Sequence, residues 1–456
     1  MLWQRQQKLE RLELFSNYTP STDHGATVED IDLVAELARH DFQKLQAVRV
    51  VPDGEDVGFL ASAALQCGVV TDFEVDGRLW SGEEAVLHEV TGRAIDPLTA
   101  SLFSHLPHAQ PGMIPRNDFL VKLALKDIDL TLSKYTWHTY LHLVGLRHLS
   151  LEHCKGADIF LMKLTAGANL LGLRSFTLLH ELSTQADRTI HAVEELLSFP
   201  RNTLQLLVLV LRNAPHLPKA SAIRGHGRTL RKLLVDIKSG VAVNNNTWNN
   251  GNTNTGVHLV YEIGQFQSIM QSCIALRELG IALPNVEFDY EILSRDCGNF
   301  STYLDIIAGN LKLATLSILT WPSLYQDGQS PGYYQARDPQ LARLASDIFA
   351  RHRSYDDETD AFVVKEKKCN LEVVGFGVRE RHVYGTLPRY FMQAEVTVLG
   401  KKRATAERVA LKDLRDWKLD IAVLDYEKRD FDENSRKSFH SYKSSQDEPE
   451  IMGSGW

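Results

Sequence analysis

Apolar residues recur along the chain in a short pattern in which positions one, four and six of a segment are apolar. Eleven segments have this pattern, and they start at Leu9, Leu45, Val70, Leu120, Leu146, Leu173, Leu204, Leu230, Leu276, Leu313 and Leu371. Positions four and six lie two residues apart, so on a β-strand both side chains point to the same face. The pattern therefore predicts eleven short strands, each with one apolar face toward a shared core.

The strictest segments have the form of a leucine-rich repeat. Leucine occupies all three positions in the segments that start at Leu9, Leu120, Leu146 and Leu204. Two segments continue to the Asn or Cys that closes such a repeat, at Asn17 and Cys154. Four of the steps between neighbouring segments are 25 to 27 residues long, which is the length of one repeat of this class.

Helical patterns fall between the predicted strands. Apolar residues at helical spacing occur at 190–197, 263–274 and 341–349, with shorter apolar pieces at SLFSHL and DIFLMKL. We therefore expect an α/β fold, an irregular leucine-rich-repeat solenoid whose curved parallel β-sheet is lined by helices on its convex side. The alternative is a doubly wound open sheet, which needs near-continuous β-branched strands and a glycine-rich phosphate turn. Neither feature occurs in the sequence.

The repeat pattern sets the predicted domain boundaries. We expect the solenoid over 1–400, interrupted by an Asn-rich surface insertion at 240–256 and a loop at 322–339. Residues 401–424 are predicted as a peripheral helical segment. The polar residues 425–456 lack the apolar content for a core, and we expect a disordered tail there.

Composition narrows the class of protein. The 456 residues are 44% hydrophobic and 24% charged, as in an ordinary globular protein, and the net charge of −8 argues against a dedicated nucleic-acid binder. Five scattered cysteines form no C-x-x-C pair, which fits a reducing cytosol or nucleus better than a disulfide framework or a zinc site. We find no secretory signal and no apolar stretch of membrane-spanning length, so we expect no membrane partner.

No candidate active site emerges from the chemistry-bearing residues. The segment GHGRTLRK, from Gly225 to Lys232, lacks the spacing of a phosphate-binding loop and is predicted as a turn. His148, His153 and Cys154 are close in sequence, but Cys154 should turn inward, so we expect no metal site. Signatures of nucleophilic or metal-dependent hydrolases are missing from the sequence. We therefore expect a protein that is not an enzyme and that uses no cofactor or metal.

The concave face of the predicted solenoid is the candidate binding surface. It carries an acidic stripe and a basic stripe followed by an apolar middle, formed by Asp72, Glu74, Asp76, Lys122, Lys126, Leu179, Leu206, Val208, Val210 and Leu234. An open apolar patch is typical of a contact site, so a protein partner is one interpretation. In the other, the insertion at 240–256 or the C-terminal segment covers the patch, and the charged stripes are merely solvated.

The segments LRHLSLEHC, LRKLLVDI, LRELGIAL and LEVVGFGVRERHVYGTLPRY resemble the leucine-rich regions of F-box proteins of filamentous fungi, over roughly residues 9–390. This resemblance implies a repeat region that holds the substrate of a cullin–RING ubiquitin ligase. An F-box would dock on the ligase adaptor, but the repeats here start at Leu9, so we expect no F-box within this chain. The predicted function is non-catalytic protein binding. The alternatives are an α/β enzyme with an unrecognised site and a structural scaffold or fragment with no ligase role.

Overall fold

The computed structural model describes the part of the chain that carries the predicted repeats. The described residues are 10–15, 45–51, 70–76, 120–128, 130, 145–166, 172–182, 188–199, 203–240, 257–284, 298–320, 332–354, 370–377, 389–398 and 401–409. Within these ranges the chain forms thirteen strands and six helices.

All eleven predicted strands form. They are β1 Arg11–Phe15, β2 Ala47–Val51, β3 Asp72–Asp76, β4 Lys122–Lys126, β5 His148–Glu152, β6 Ser175–Glu181, β7 Leu206–Arg212, β8 Lys232–Ile237, β9 Glu278–Ile281, β10 Thr315–Ile318 and β11 Val373–Phe376. Each begins two residues after the first apolar residue of its segment, as β4 does after Leu120. Two further strands follow, β12 Arg389–Val398 and β13 Lys401–Val409.

The strands form one open, mostly parallel sheet in which their order follows the chain from β1 to β13. The registers of neighbouring strands align the same position of each segment, so Leu123 lies opposite Phe73 on one side and Leu149 on the other. Strands β11, β12 and β13 pair antiparallel. The prediction of an α/β fold is confirmed in this form.

The core consists of the apolar residues that define the segments. Phe73, Leu123, Leu149, Phe176 and Leu207 occupy one register position of five strands, and all five are almost completely buried. Each buried side chain therefore packs against its counterpart on the next strand. Replacing a core residue of this size by alanine typically costs about 2–5 kcal/mol, so these columns dominate the stability of the sheet.

The helices are α1 Ala157–Ala166, α2 Thr189–Ser198, α3 Ala220–Arg224, α4 Ile263–Ser272, α5 Gly298–Ala308 and α6 Gly332–Ser354. Three of them confirm the helical patterns at 190–197, 263–274 and 341–349, and their apolar faces are largely buried. Ile274 is an exception, because it lies beyond the end of α4 and is 58% exposed.

Two predicted boundaries are wrong. The predicted loop at 322–339 is helical from Gly332, although Pro339 removes a backbone hydrogen bond and crowds the preceding turn, at a cost of about 3 kcal/mol. Burial of Leu341, Leu344 and Ile348 offsets this cost. The predicted helical segment at 401–424 begins instead with β13. This strand pairs antiparallel with β12 in a hairpin, with Val398 opposite Lys401. Strand β12 lies before residue 400, where only parallel repeat strands were expected, and it pairs antiparallel with β11 as well. Residues 241–256, 322–331 and 410–456 lie outside the described residues.

The chain divides into two compact units. The first comprises Met1–Arg231 and Val235–Ala275, and the second comprises Lys232–Leu234 and Leu276–Trp456. In the first unit α1 packs on α2, and α3 packs on α4. In the second unit α6 packs on α5 and β13.

Candidate functional site

The candidate site lies on what we call the second face of the sheet, formed by the residues that alternate with the core residues along each strand. In β1 to β6 of the first unit this face is polar, and most of its side chains are exposed or half-buried. Residues such as Arg49, Glu74, Lys122, Ser150 and Thr177 belong to it. This part of the sheet can therefore meet a solvent-borne partner.

Five charged residues on β2 to β5 form one network on the second face, which we call the charged network. It consists of Arg49, Glu74, Asp76, Lys126 and Glu152. The Arg49 guanidinium lies 3.4 Å from Glu74 Oε1 and 3.1 Å from Asp76 Oδ2. Lys126 Nζ lies 3.2 Å from Glu74 Oε1 and 3.8 Å from Glu152 Oε2. The predicted acidic and basic stripes thus meet in alternating ion pairs between strands.

The burial of this network differs between its members. Asp76 is 2% exposed and Lys126 is 7% exposed, whereas Arg49, Glu74 and Glu152 are half-buried. A buried charge is costly unless it is paired, so the ion pairs are a condition for placing Asp76 and Lys126 there. The half-buried members remain within reach of a partner.

Two predicted site residues stay outside the network. Asp72 and Lys122 are register partners at the starts of β3 and β4, but within the described part of the chain they form no ion pair with each other. Asp72 is half-buried and Lys122 is exposed. Both lie at the strand-start edge of the sheet rather than in the middle of the second face.

The predicted apolar middle of this face is not open to solvent. Leu179, Val208, Val210 and Leu234 are each at most 6% exposed, and Leu206 is half-buried. The prediction that these residues face solvent is therefore wrong for four of the five. Their burial within the single chain favours the interpretation in which the protein covers its own apolar patch. The covering segments that we named, 240–256 and the C-terminal residues, lie outside the described residues except for Gly240.

A second charged cluster, which the sequence did not indicate, lies where β7 and β8 end. Arg212 Nη2 donates to Asp236 Oδ2 at 2.8 Å, and His258 Nδ1 lies 3.3 Å from Asp236 Oδ1, although their alignment is too poor for a hydrogen bond. Burial tends to raise the pKa of the Asp236 carboxyl, but Arg212 and His258 outweigh burial and hold it well below its usual value. Burial and repulsion by Arg212 lower the pKa of nearby Lys238 to about 8, against the attraction of Asp236.

The other chemistry-bearing residues have structural roles. The GHGRTLRK segment forms a turn, as predicted, and a side chain at Gly227 would collide with the backbone of Ser272. Cys154 turns inward, as predicted, and its thiol contacts the Leu125 carbonyl oxygen at 3.3 Å. Burial raises the pKa of Cys154 to about 12, so its thiol is a poor nucleophile. Within the described ranges, no three His, Cys, Asp or Glu side chains are grouped so that they could hold a metal ion.

A cavity of about 470 Å³ lies beside α2 and α3 on the helical side of the first unit. Its two acidic lining residues are already paired: Glu194 with Lys219 at 3.1 Å, and Glu195 with His191 at 3.3 Å. The ring of His226 is hydrogen-bonded to the Leu197 carbonyl oxygen at 2.8 Å. These contacts fix the ends of α2 and α3 and bring together no nucleophile with an activating base.

Comparison with known proteins found no matching family model, no similar curated protein and no similar solved structure. Among the described helices, none combines the length and the apolar character needed to cross a bilayer.

Proposed function

We propose that the protein is a non-catalytic leucine-rich-repeat solenoid that binds a protein partner through the accessible second face of β1 to β6. The observation that carries this proposal is the half-buried charged network on that face. Charges arranged in a fixed pattern on an accessible surface discriminate between partners more than they add raw affinity. A repeat protein of this class typically binds on the face formed by its strands.

The backbone supports the repeat interpretation. Asp127, His153, Asn213 and Gly377 each follow directly after a strand or begin its exit turn, and each has a positive φ, between 49° and 89°. Asp, Asn and Gly, with His, are the residues that most readily adopt this conformation. The same local geometry therefore recurs directly after four strands, and Asp127 and His153 also stand at the same position of their segments, as expected for repeats of one structural unit.

Cys154 supports the same interpretation through a contact between neighbouring segments. It stands at the Asn or Cys position of the repeat string, and its thiol contacts the Leu125 carbonyl oxygen of the preceding strand. This contact satisfies a backbone group where the chain leaves the sheet, which is the role that the position has in a leucine-rich repeat. Stacked units linked in this way share one continuous core.

The resemblance to F-box proteins suggests which class of partner the second face would hold. In that family the repeat region holds the substrate of a ubiquitin ligase, so we extend the proposal to substrate recognition in such a ligase. Capture of a cullin and its adaptor together with the partner would support this extension. Capture of the partner without them would leave a binding protein with no ligase role.

The first test places bulk on the second face without removing an ion pair. Ala47→Arg with Thr177→Arg introduces two long side chains at half-buried positions of β2 and β6. We expect affinity capture from native extract, quantified by mass spectrometry, to lose the specific partners at least about tenfold, which corresponds to about 1.4 kcal/mol.

The matched control is Gln267→Arg with Gln271→Arg, which adds the same side chains at exposed positions of α4. Circular dichroism should show that both double variants are folded. Equal capture by the two variants would contradict the proposal. A small molecule retained by the purified protein in native mass spectrometry would instead support the enzyme alternative.

A further inference from the structure

Basic residues of the first unit gather at, or directly before, the starts of β4, β5, β6 and β8. We call this group the basic edge, and it consists of Lys122, Arg147, His148, Arg174 and Arg231. The three arginines share one position, directly after the first core leucine of their segments, in the strings LRHL, LRSF and LRKL. Lys122 and His148 also belong to the second face, at the starts of β4 and β5, whereas the charged network of that face alternates in sign.

Backbone hydrogen bonds place the basic edge in one row. Arg147 N donates to the Val121 carbonyl oxygen, and Arg174 N donates to the Arg147 carbonyl oxygen. Gln205 N donates to Arg174 O, and Arg231 N donates to Gln205 O, all at 2.7–2.8 Å. Neighbouring strands lie about 4.8 Å apart, so the row from Arg147 to Arg231 extends over about 14 Å.

The side chains of this row are available to a partner. Lys122, His148, Arg174 and Arg231 are exposed, and they make no side-chain hydrogen bond or ion pair with the residues that the structure describes. Arg147 is half-buried and donates from Nη1 to the Gly172 carbonyl oxygen at 3.1 Å. Asp72, next to Lys122, is the acid that faces this row from β3.

The neighbouring charges of the basic edge affect the protonation of the His148 imidazole. Its pKa is lowered first by partial burial, then by Lys122 and Arg174, while Asp72 acts in the opposite direction. The cations of the row therefore repel a further positive charge at this position. An anion placed there would relieve the repulsion and favour protonation of His148.

We propose that the basic edge binds an acidic segment of a protein partner, whose aspartate or glutamate carboxylates lie against Lys122, His148, Arg174 and Arg231. This inference rests on the proposed function and names the chemistry of its partner. Arginine holds a carboxylate through two parallel hydrogen bonds. Alternate side chains of an extended peptide are about 7 Å apart, so three acidic residues on one side match the row.

Charge and composition favour a protein segment over a nucleic acid. The chain carries a net charge of −8, which opposes the approach of a long polyanion. The two residues at this edge of each strand, 121–122, 147–148, 174–175, 205–206 and 231–232, include no phenylalanine, tyrosine or tryptophan on which single-stranded bases would stack. A short acidic peptide meets only the local positive field of the row.

The test uses the full chain and a fluorescein-labelled octapeptide of glutamate, with the glutamine octapeptide as the uncharged probe. We expect Arg174→Gln with Arg231→Gln to weaken binding of the glutamate peptide about tenfold and to reduce the salt dependence of its affinity. Arg188→Gln with Arg224→Gln removes two exposed arginines elsewhere in the first unit, and binding should stay within about twofold of the unmodified chain.

A pH series gives an independent readout. Glutamate side chains stay ionised between pH 6 and 8, whereas a bound carboxylate would raise the lowered pKa of His148 and so favour its protonation as the pH falls. Binding of the glutamate peptide should therefore tighten several-fold from pH 8 to pH 6, and His148→Gln should remove most of that change.

Three results would overturn the inference: equal loss in the control pair, equal binding of the glutamine peptide, or tighter binding of a single-stranded oligonucleotide of the same charge. Capture of the native partner that depends on Ala47 and Thr177 but not on Arg174 and Arg231 would contradict binding of the partner at the basic edge. The same result would support the proposed function. If the glutamate peptide binds as expected but Ala47→Arg with Thr177→Arg leaves capture unchanged, the proposal that the partner binds on the second face is contradicted.

Discussion

Replacing Asp236 by alanine should lower the free energy of unfolding by about 3–5 kcal/mol, the usual cost of breaking a buried ion pair from one side. Asp236 is 1% exposed, and its Oδ2 accepts from Arg212 Nη2 at 2.8 Å. Without this carboxylate, Arg212 and Lys238 lose a buried negative charge that attracts both of them at the ends of β7 and β8. Thermal and urea unfolding, followed by circular dichroism, would measure the loss.

An exposed ion pair provides the matched comparison. Asp305 pairs with Arg351 at a surface position where the carboxylate side chain is 62% exposed. Asp305→Ala should cost no more than about 1 kcal/mol, because water and salt screen such a pair. If both substitutions cost the same, burial does not govern the Asp236 interaction.

The contribution of the Asp236 carboxylate to the free energy of unfolding should also depend on pH. Since the folded-state pKa of this carboxyl lies below its unfolded value, its contribution is fully present above about pH 4 and is lost as the pH falls through the folded-state pKa. Asp236→Asn should therefore differ most from the unmodified protein near neutral pH, and the difference should shrink in acid. A difference that grows in acid would contradict the assigned charge state.

Replacing Gly227 by alanine should be the second strongly destabilising change, at about 1–3 kcal/mol. An added Cβ would overlap the Ser272 carbonyl oxygen and lie 2.6 Å from its carbon, and both are backbone atoms that cannot rotate away. The turn before β8 would have to move away from the end of α4. Thermal unfolding by circular dichroism measures this cost.

Gly264 offers the matched control, because an added Cβ there meets no atom within 4 Å. It lies in the first turn of α4, where alanine favours the helix more than glycine does. Gly264→Ala should raise the stability by about 0.5–1 kcal/mol. If both glycine substitutions shift the unfolding midpoint in the same direction, steric contact with Ser272 is not the cause.

The strands could be predicted because their determinants are local. The alternation of Leu123 and Leu125 with Lys122, the small Ala124 and Lys126 is sufficient to set the face of β4. Aligning the segments also places Lys126 beside Asp76 and Glu152. Two ion pairs of the charged network, Arg49 with Glu74 and Lys126 with Glu152, join register partners and follow from that alignment. The contacts of Arg49 with Asp76 and of Lys126 with Glu74 are diagonal and need the coordinates.

The features that the sequence did not predict correctly depend on contacts between residues that are distant in the chain, or on segments without a clear apolar pattern. Val208 and Val210 alternate with core residues, and only their burial by the rest of the chain shows that they do not face solvent. The strand β13 has no strong apolar alternation of its own and depends on pairing with β12. The approach of His258 to Asp236 joins residues on either side of the Asn-rich stretch, so no local pattern could indicate it.

The connectors between strands differ widely in length, yet neighbouring strands keep the same alignment. Segment starts are separated by 25 to 58 residues, and each doubling of a flexible connector costs only about 0.6 kcal/mol in closure entropy. The paired strands thus tolerate insertions between them far better than insertions within them. Such a chain can gain or lose sequence in its connectors, or even a whole strand with its connector, while the remaining neighbours pair as before. The length of the chain can therefore change in evolution while the pairing of its strands is preserved.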